Sequence, residues 1–193
     1  MSKIRVSGVS RVARKLCAVL ASLPSKRRVA SSRASLLRIA RPFEFSRRSE
    51  ARLDCRCEFA WALGEFLRLY GRDFPDEPIP TPRIEDVYRA ASAVEAINQP
   101  IFGRRRYRSL AAKLAALVYE LCKQHFFING NKRIAYFFLL YALILNGRLI
   151  DIDTFEERAE LMEHVADSDP RDRKRVLREL TELIGSKMHP YDV

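Results

Sequence analysis

An all-α helical bundle carrying one short β-hairpin is the fold this sequence predicts. Three observations lead there. From Ser49 onward apolar residues recur at helical spacing almost without a break. Capping and stopping residues punctuate that pattern at short intervals. Strand-like signals are confined to a single stretch, "QPIFGRRRY" at 99–107, with Gly103 at its centre.

Each element has its own justification. "EARLDCRCEFAWALGEFLRLYG" reads as a helix of about six turns beginning near Ser49 and stopped by Gly71. A Pro-rich loop, "DFPDEPIPTP", follows. Thr81 and Pro82 read as N-cap and first helical position for "RIEDVYRAASAVEAIN". After the hairpin, Ser109 caps "LAAKLAALVYELCKQH", where Leu110, Leu114, Leu117, Val118 and Leu121 form an apolar stripe. The next helix runs from about Asn131 to Asn146 and ends at Asn146-Gly147. Thr154 and Glu157 form a capping box for a helix to about Asp167, and Asp169-Pro170 caps a last helix to about Ile184. No internal repeat is visible.

Composition narrows the class. The chain has 193 residues, of which 48% are apolar, enough for one domain with a core plus an extension. Its net charge of +11 is unevenly placed. Residues 1–50 hold 13 Lys/Arg against two Asp/Glu, while 51–193 are balanced at 22 of each. The high pI therefore belongs to the N-terminal quarter, and a nucleic-acid role is expected only through residues 1–50. That segment reads as a leader, as a basic arm, or as a disordered tail or overextended start. The expected organisation is a basic extension over 1–48, a helical domain over 49–186 and a tail over 187–193.

Cys17, Cys55, Cys57 and Cys122 make no disulfide framework and read as free thiols, which points to a reducing, cytoplasmic setting. "C-R-C" lacks a second Cys/His pair at metal-ligand spacing, so helical thiols are the better reading. No stretch reaches the ~18 apolar residues a membrane span needs; Ile134–Leu145 reads as a core helix.

The chemistry concentrates in "HFFINGNKR", residues 125–133, at the mouth of that apolar run. His125 closes one helix and Asn131 opens the next. Gly130 permits a turn geometry that other residues resist. A tight turn into a helix leaves amide N–H groups without intrahelical partners, and that terminus attracts anions, phosphate above all. Lys132 adds a point charge and Arg133 a planar fork suited to phosphate oxygens. Phe127 anchors the loop in the core. An imidazole suits proton removal from a hydroxyl near neutral pH, so His125 beside a phosphate cradle is a candidate general base. The plainer reading is a helix-capping histidine followed by an Asn-Gly turn.

The nine residues resemble the signature of the Fic/Doc family, H-x-F-x-(D/N/E)-G-N-(G/K)-R. His125, Phe127, Gly130, Asn131 and Arg133 fall on its defining positions. The likeness extends over about residues 60–150 and is similar to the Doc (death-on-curing) branch. In AMP-transferring members Gly stands where Lys132 is, and a second Arg stands where Tyr136 is. The resemblance therefore implies a Doc-like toxin that moves the terminal phosphate of ATP to a hydroxyl of a translation elongation factor. Fic-type AMP transfer is the alternative, and a catalytically degenerate regulatory or nucleic-acid-binding protein a further one.

By this resemblance His125 is the general base, amides near Gly130 form the anion hole, and Asn131, Lys132 and Arg133 grip phosphates. Asn129 stands where acidic members help hold Mg²⁺, so weaker metal binding is implied. Gln99, Pro100, Ile101, Phe102, Gly103 and Tyr107 belong to a flap that docks an extended target segment by strand addition. "RRR" at 104–106 reads either as facing an acidic target or as a solvated tip. No good copy of the family's inhibitory motif, S/T-x-x-x-E-G/N, is present. Thr81 to Glu85 has the spacing, but Asp86 follows. A separate antitoxin partner is therefore implied. His164 and His189 show no readable partner.

Overall fold

The computed structural model describes residues 55–152 and 154–190. The basic extension, Cys17, the start proposed near Ser49 and the last three residues lie outside them. Among the described residues six helices run in chain order: α1 Cys55–Asp73, α2 Ile84–Asn98, α3 Leu110–Lys123, α4 Asn131–Leu145, α5 Phe155–Asp167 and α6 Arg173–Lys187. The hairpin pairs β1 (Pro100–Ile101) with β2 (Arg104–Arg105). The all-α architecture with a short hairpin is as expected.

The core forms around α3 and α4. α3 is buried nearly all round, from Ala111 to Cys122, because α2, α4, α5 and α6 all pack on it. A helix enclosed by neighbours needs more than one apolar stripe, and its many alanines let the neighbours approach. α4 is equally apolar and meets α1 through ring stacking: Phe59 on Phe138 at 4.4 Å and Phe66 on Phe137 at 4.5 Å between centroids. No helix among the described residues is long and apolar enough to cross a membrane.

Several expectations about boundaries are corrected. Gly71 does not stop α1, which continues to Asp73; one glycine costs a helix only about 1 kcal/mol, less than the packing around it supplies. Thr81 is not the cap of α2. The N-cap is Arg83, without a side-chain cap bond, and the prolines before it hold the chain extended. α3 ends at Lys123, two residues before His125. Asp169 caps a 3₁₀ turn, Pro170–Asp172, through the Arg171 N–H, and α6 then runs to Lys187 rather than Ile184.

Strands are also not confined to the hairpin. β3 (Arg148–Ile150) pairs antiparallel with β4 (Met188–Pro190), Leu149 opposite His189. Three residues are too few for alternation to show in a sequence. The capping box at Thr154 is as predicted, with both reciprocal bonds present. His164 and His189 do have partners, Glu179 and Asp151, each at 3.0 Å.

Candidate active site

The site begins where α3 stops. Its C-cap is Gln124, whose N–H donates to the Glu120 carbonyl, and His125 follows with φ of 47°. Left-handed backbone at the position after a C-cap ends a helix decisively, though glycine is its usual occupant. A histidine held there is strained, and strain of this kind gathers at functional sites. The imidazole is exposed and has no hydrogen-bond partner among the described residues. Phe126 and Phe127 turn inward and are buried, while Ile128 between the aromatics and the bend stays 81% exposed.

The bend itself is Gly130, with φ of 80°, serving as N-cap of α4 without a side-chain cap. Glycine is required twice over. The left-handed backbone disfavours any Cβ. A Cβ there would also lie 2.9 to 3.1 Å from three atoms of Ile79, in the Pro-rich segment between α1 and α2. The first requirement is legible in the sequence; the second joins segments distant in the chain and is not.

Asn131 shapes the loop. Its Oδ1 accepts from the Phe127 N–H at 3.0 Å, and its Nδ2 donates to the Phe127 carbonyl at 2.6 Å. Both ends of the side chain are engaged with loop backbone, so what it offers a phosphate is its backbone N–H on the first turn of α4. Asn129 Oδ1 accepts from the Gly130 N–H at 2.7 Å, the neutral amide closing over one of the amides expected in the anion hole.

The two motif cations are exposed, and each meets a carboxylate. Lys132 Nζ lies 3.3 Å from Glu163 of α5. Arg133 Nη2 lies 2.8 Å from Glu77 of the Pro-rich segment, and the same guanidinium sits over the Tyr70 ring at 5.4 Å. A phosphate must displace these carboxylates or share the cations with them. Glu85, carried by the inhibitory-motif spacing, makes no such contact among the described residues. Neither Glu77 nor Glu163 could be found from sequence, since no spacing links either to the motif.

Two further residues hold the frame. Lys123 Nζ donates to the carbonyls of Ala166, at 2.6 Å, and Ser168, satisfying the C-terminal end of α5 with a cation. Arg89 lies over the Phe126 ring at 5.8 Å. Cys122 is buried with its Sγ 3.5 Å from the Met162 carbonyl, and burial pushes its thiol up to about 11, which makes it inert packing rather than a nucleophile. The side chains of Cys55 and Cys57 lie outside the described residues. At Tyr136, where AMP transferases have their second Arg, the ring is overlain by the Arg158 guanidinium at 5.9 Å.

For a nucleotide the chain offers a helix start without a side-chain cap and two flanking cations, a set that fits a polyphosphate. For Mg²⁺ it offers little: among the described residues no three His, Cys, Asp or Glu side chains gather at one point, and Asn129 is neutral. A magnesium ion in the site would depend mainly on the oxygens of the nucleotide.

A helix entered through a left-handed glycine, two cations on its first turn and an exposed imidazole ahead of the bend have the chemistry of a group-transfer site in an all-α bundle. Residues 61–143 match the family model described as the Fic/DOC family. That family transfers nucleotidyl or phosphate groups to proteins. No curated protein and no solved structure matches the chain.

Proposed function

We propose that this protein is a Doc-like phosphotransferase, moving the terminal phosphate of ATP to a hydroxyl of a target protein and thereby arresting growth. The observation that carries the reading is the motif turn: exposed His125 in strained backbone, followed by the Gly130 entry into α4 with Lys132 and Arg133 on its first turn. His125 takes the proton of the target hydroxyl. The freed oxygen attacks the terminal phosphorus, the bond to the bridging oxygen breaks, and ADP leaves. First-turn amides of α4 with Lys132 and Arg133 offset the charge on the phosphoryl oxygens.

Lys132 in place of Gly, and Tyr136 in place of a second Arg, favour phosphate over AMP as the transferred group. AMP transfer is the second reading, favoured by the Arg158 guanidinium over Tyr136. Translation factors suit the reading as targets, the cytoplasm as its setting and a separate antitoxin as its restraint. Labelled ATP tests it in a cell extract. The reading expects label from the γ position on a protein, growth arrest on expression, and loss of both in His125→Ala. Label from the α position alone selects AMP transfer, and equal toxicity of His125→Ala refutes the base.

A further inference from the structure

The hairpin carries a residue that its own fold does not explain. β1 and β2 are joined by two residues, Phe102 and Gly103, with φ of 49° and 73°. Positive φ at both positions is the type I′ geometry, which favours Asn-Gly. A phenylalanine there strains the backbone. Its side chain is 99% exposed, so it gains no burial in compensation. Ile101 beside it is also exposed.

The surroundings are basic. Arg104, Arg105 and Arg106 are exposed and form no ion pair among the described residues. The field of Arg105 reaches inward: Lys113, only 9% exposed and donating to Asn98 Oδ1 at 2.9 Å, has its pKa lowered by burial and then by Arg105. The finger is firmly based. At its exit the Tyr107 hydroxyl accepts from Arg173 at 3.1 Å, and Arg173 pairs with Glu120 at 2.6 Å.

We propose that Phe102 is the anchor of a recognition finger whose partner is an extended acidic protein segment with apolar side chains to receive the ring. The proposal rests on the hairpin being the docking element of the transferase described above, and it names the chemistry of the target. Three arginines, none in an ion pair among the described residues although Arg106 lies over the Tyr107 ring at 5.3 Å, select acid; Ile101 and Phe102 supply apolar contact, and the short strands offer an edge for main-chain pairing. A single-stranded nucleic acid is less well matched. It calls for aromatic platforms along a basic track, whereas this finger has one ring at an apex beside an aliphatic side chain.

The test uses the full chain and three fluorescein-labelled probes: the peptide EEDLLDEE, its basic counterpart KKNLLNKK, and oligo-dT. Phe102→Asn leaves the charge unchanged and suits the turn, so the fold is expected to melt no lower than wild type. The expected result is salt-sensitive binding of the acidic peptide alone, weakened about tenfold by Phe102→Asn and abolished by R104A/R105A/R106A. Absent acidic-peptide binding, undiminished binding by Phe102→Asn, or preference for oligo-dT each overturns the proposal. So does a lower melting temperature in Phe102→Asn, which would give the ring a role in the fold. No ATP is present, and His125→Ala is expected to bind like wild type, so failure of the catalytic reading leaves this outcome separate.

Discussion

Replacing Gly130 with alanine tests why the bend is built as it is. The new methyl would enter a left-handed backbone, a penalty of about 1–2 kcal/mol. It would also stand 2.9, 3.0 and 3.1 Å from Cγ2, Cδ1 and Cγ1 of Ile79, where ordinary carbon contacts lie at about 3.5–4.0 Å. Relieving that overlap costs about 1–3 kcal/mol. The sum, about 2–5 kcal/mol, corresponds to a fall in melting temperature of roughly 10 °C for a chain of this size. Ile79→Ala removes the obstructing atoms at a cost of about 1–2 kcal/mol, because Ile79 is only half-buried. The two substitutions are therefore expected to couple, the double variant being about 1–2 kcal/mol more stable than the two losses combined. Urea unfolding followed by circular dichroism reads all four proteins. A Gly130→Ala variant within about 0.5 kcal/mol of wild type would refute the steric argument, as would simple additivity with Ile79→Ala.

Three other perturbations have defined outcomes. His125→Gly should lose label transfer yet gain up to about 1 kcal/mol of stability, since glycine accepts the positive φ; a thermal melt paired with the labelled-ATP assay checks both halves. Glu77→Gln should release Arg133 and tighten ATP binding up to about fivefold, the scale of an exposed ion pair of about 0–1 kcal/mol; weaker binding by calorimetry would show that Glu77 assists the nucleotide. For Cys122 the folded thiol titrates at about 11 against 9.0 unfolded, chiefly through burial. The unfolded chain thus gives up its proton first as pH rises, so this group's effect appears above pH 9 and stability falls by up to about 2–3 kcal/mol by pH 11. Cys122→Ala should reduce that slope by this group's share in unfolding curves taken across the interval, leaving the share of Tyr70 and Tyr119, which burial also raises.

The helices were legible because caps and apolar spacing act over a few residues. Ser109, Thr154 with Glu157, and Asn146-Gly147 mark boundaries that the structure keeps. Boundaries set by tertiary packing were not legible: Gly71 inside α1 is outweighed by the ring contacts of Phe66 with Phe137 and Tyr70 with Phe74, and β3 with β4 meet across about forty residues of chain. At the site, the motif turn could be read locally as glycine, asparagine and cations. The wrapping could not. Ile79 on Gly130, Glu77 on Arg133 and Glu163 on Lys132 join segments distant in sequence. The role of the Asn131 side chain, stapling Phe127 at both backbone atoms, is set by the folded loop and shows no signal in the sequence. The sequence places Phe102 in a flap, but its strain and full exposure emerge only from the turn geometry.

The central claim is that the start of α4 is a socket for the phosphates of ATP beside an available imidazole. Amide NMR of the full chain during an ATP titration tests it directly. Saturable shifts of the Gly130, Asn131, Lys132 and Arg133 amides, with the His125 ring signals moving at the same ATP concentration, are the predicted result. Saturation of the protein with those amides and that ring unmoved would contradict the account.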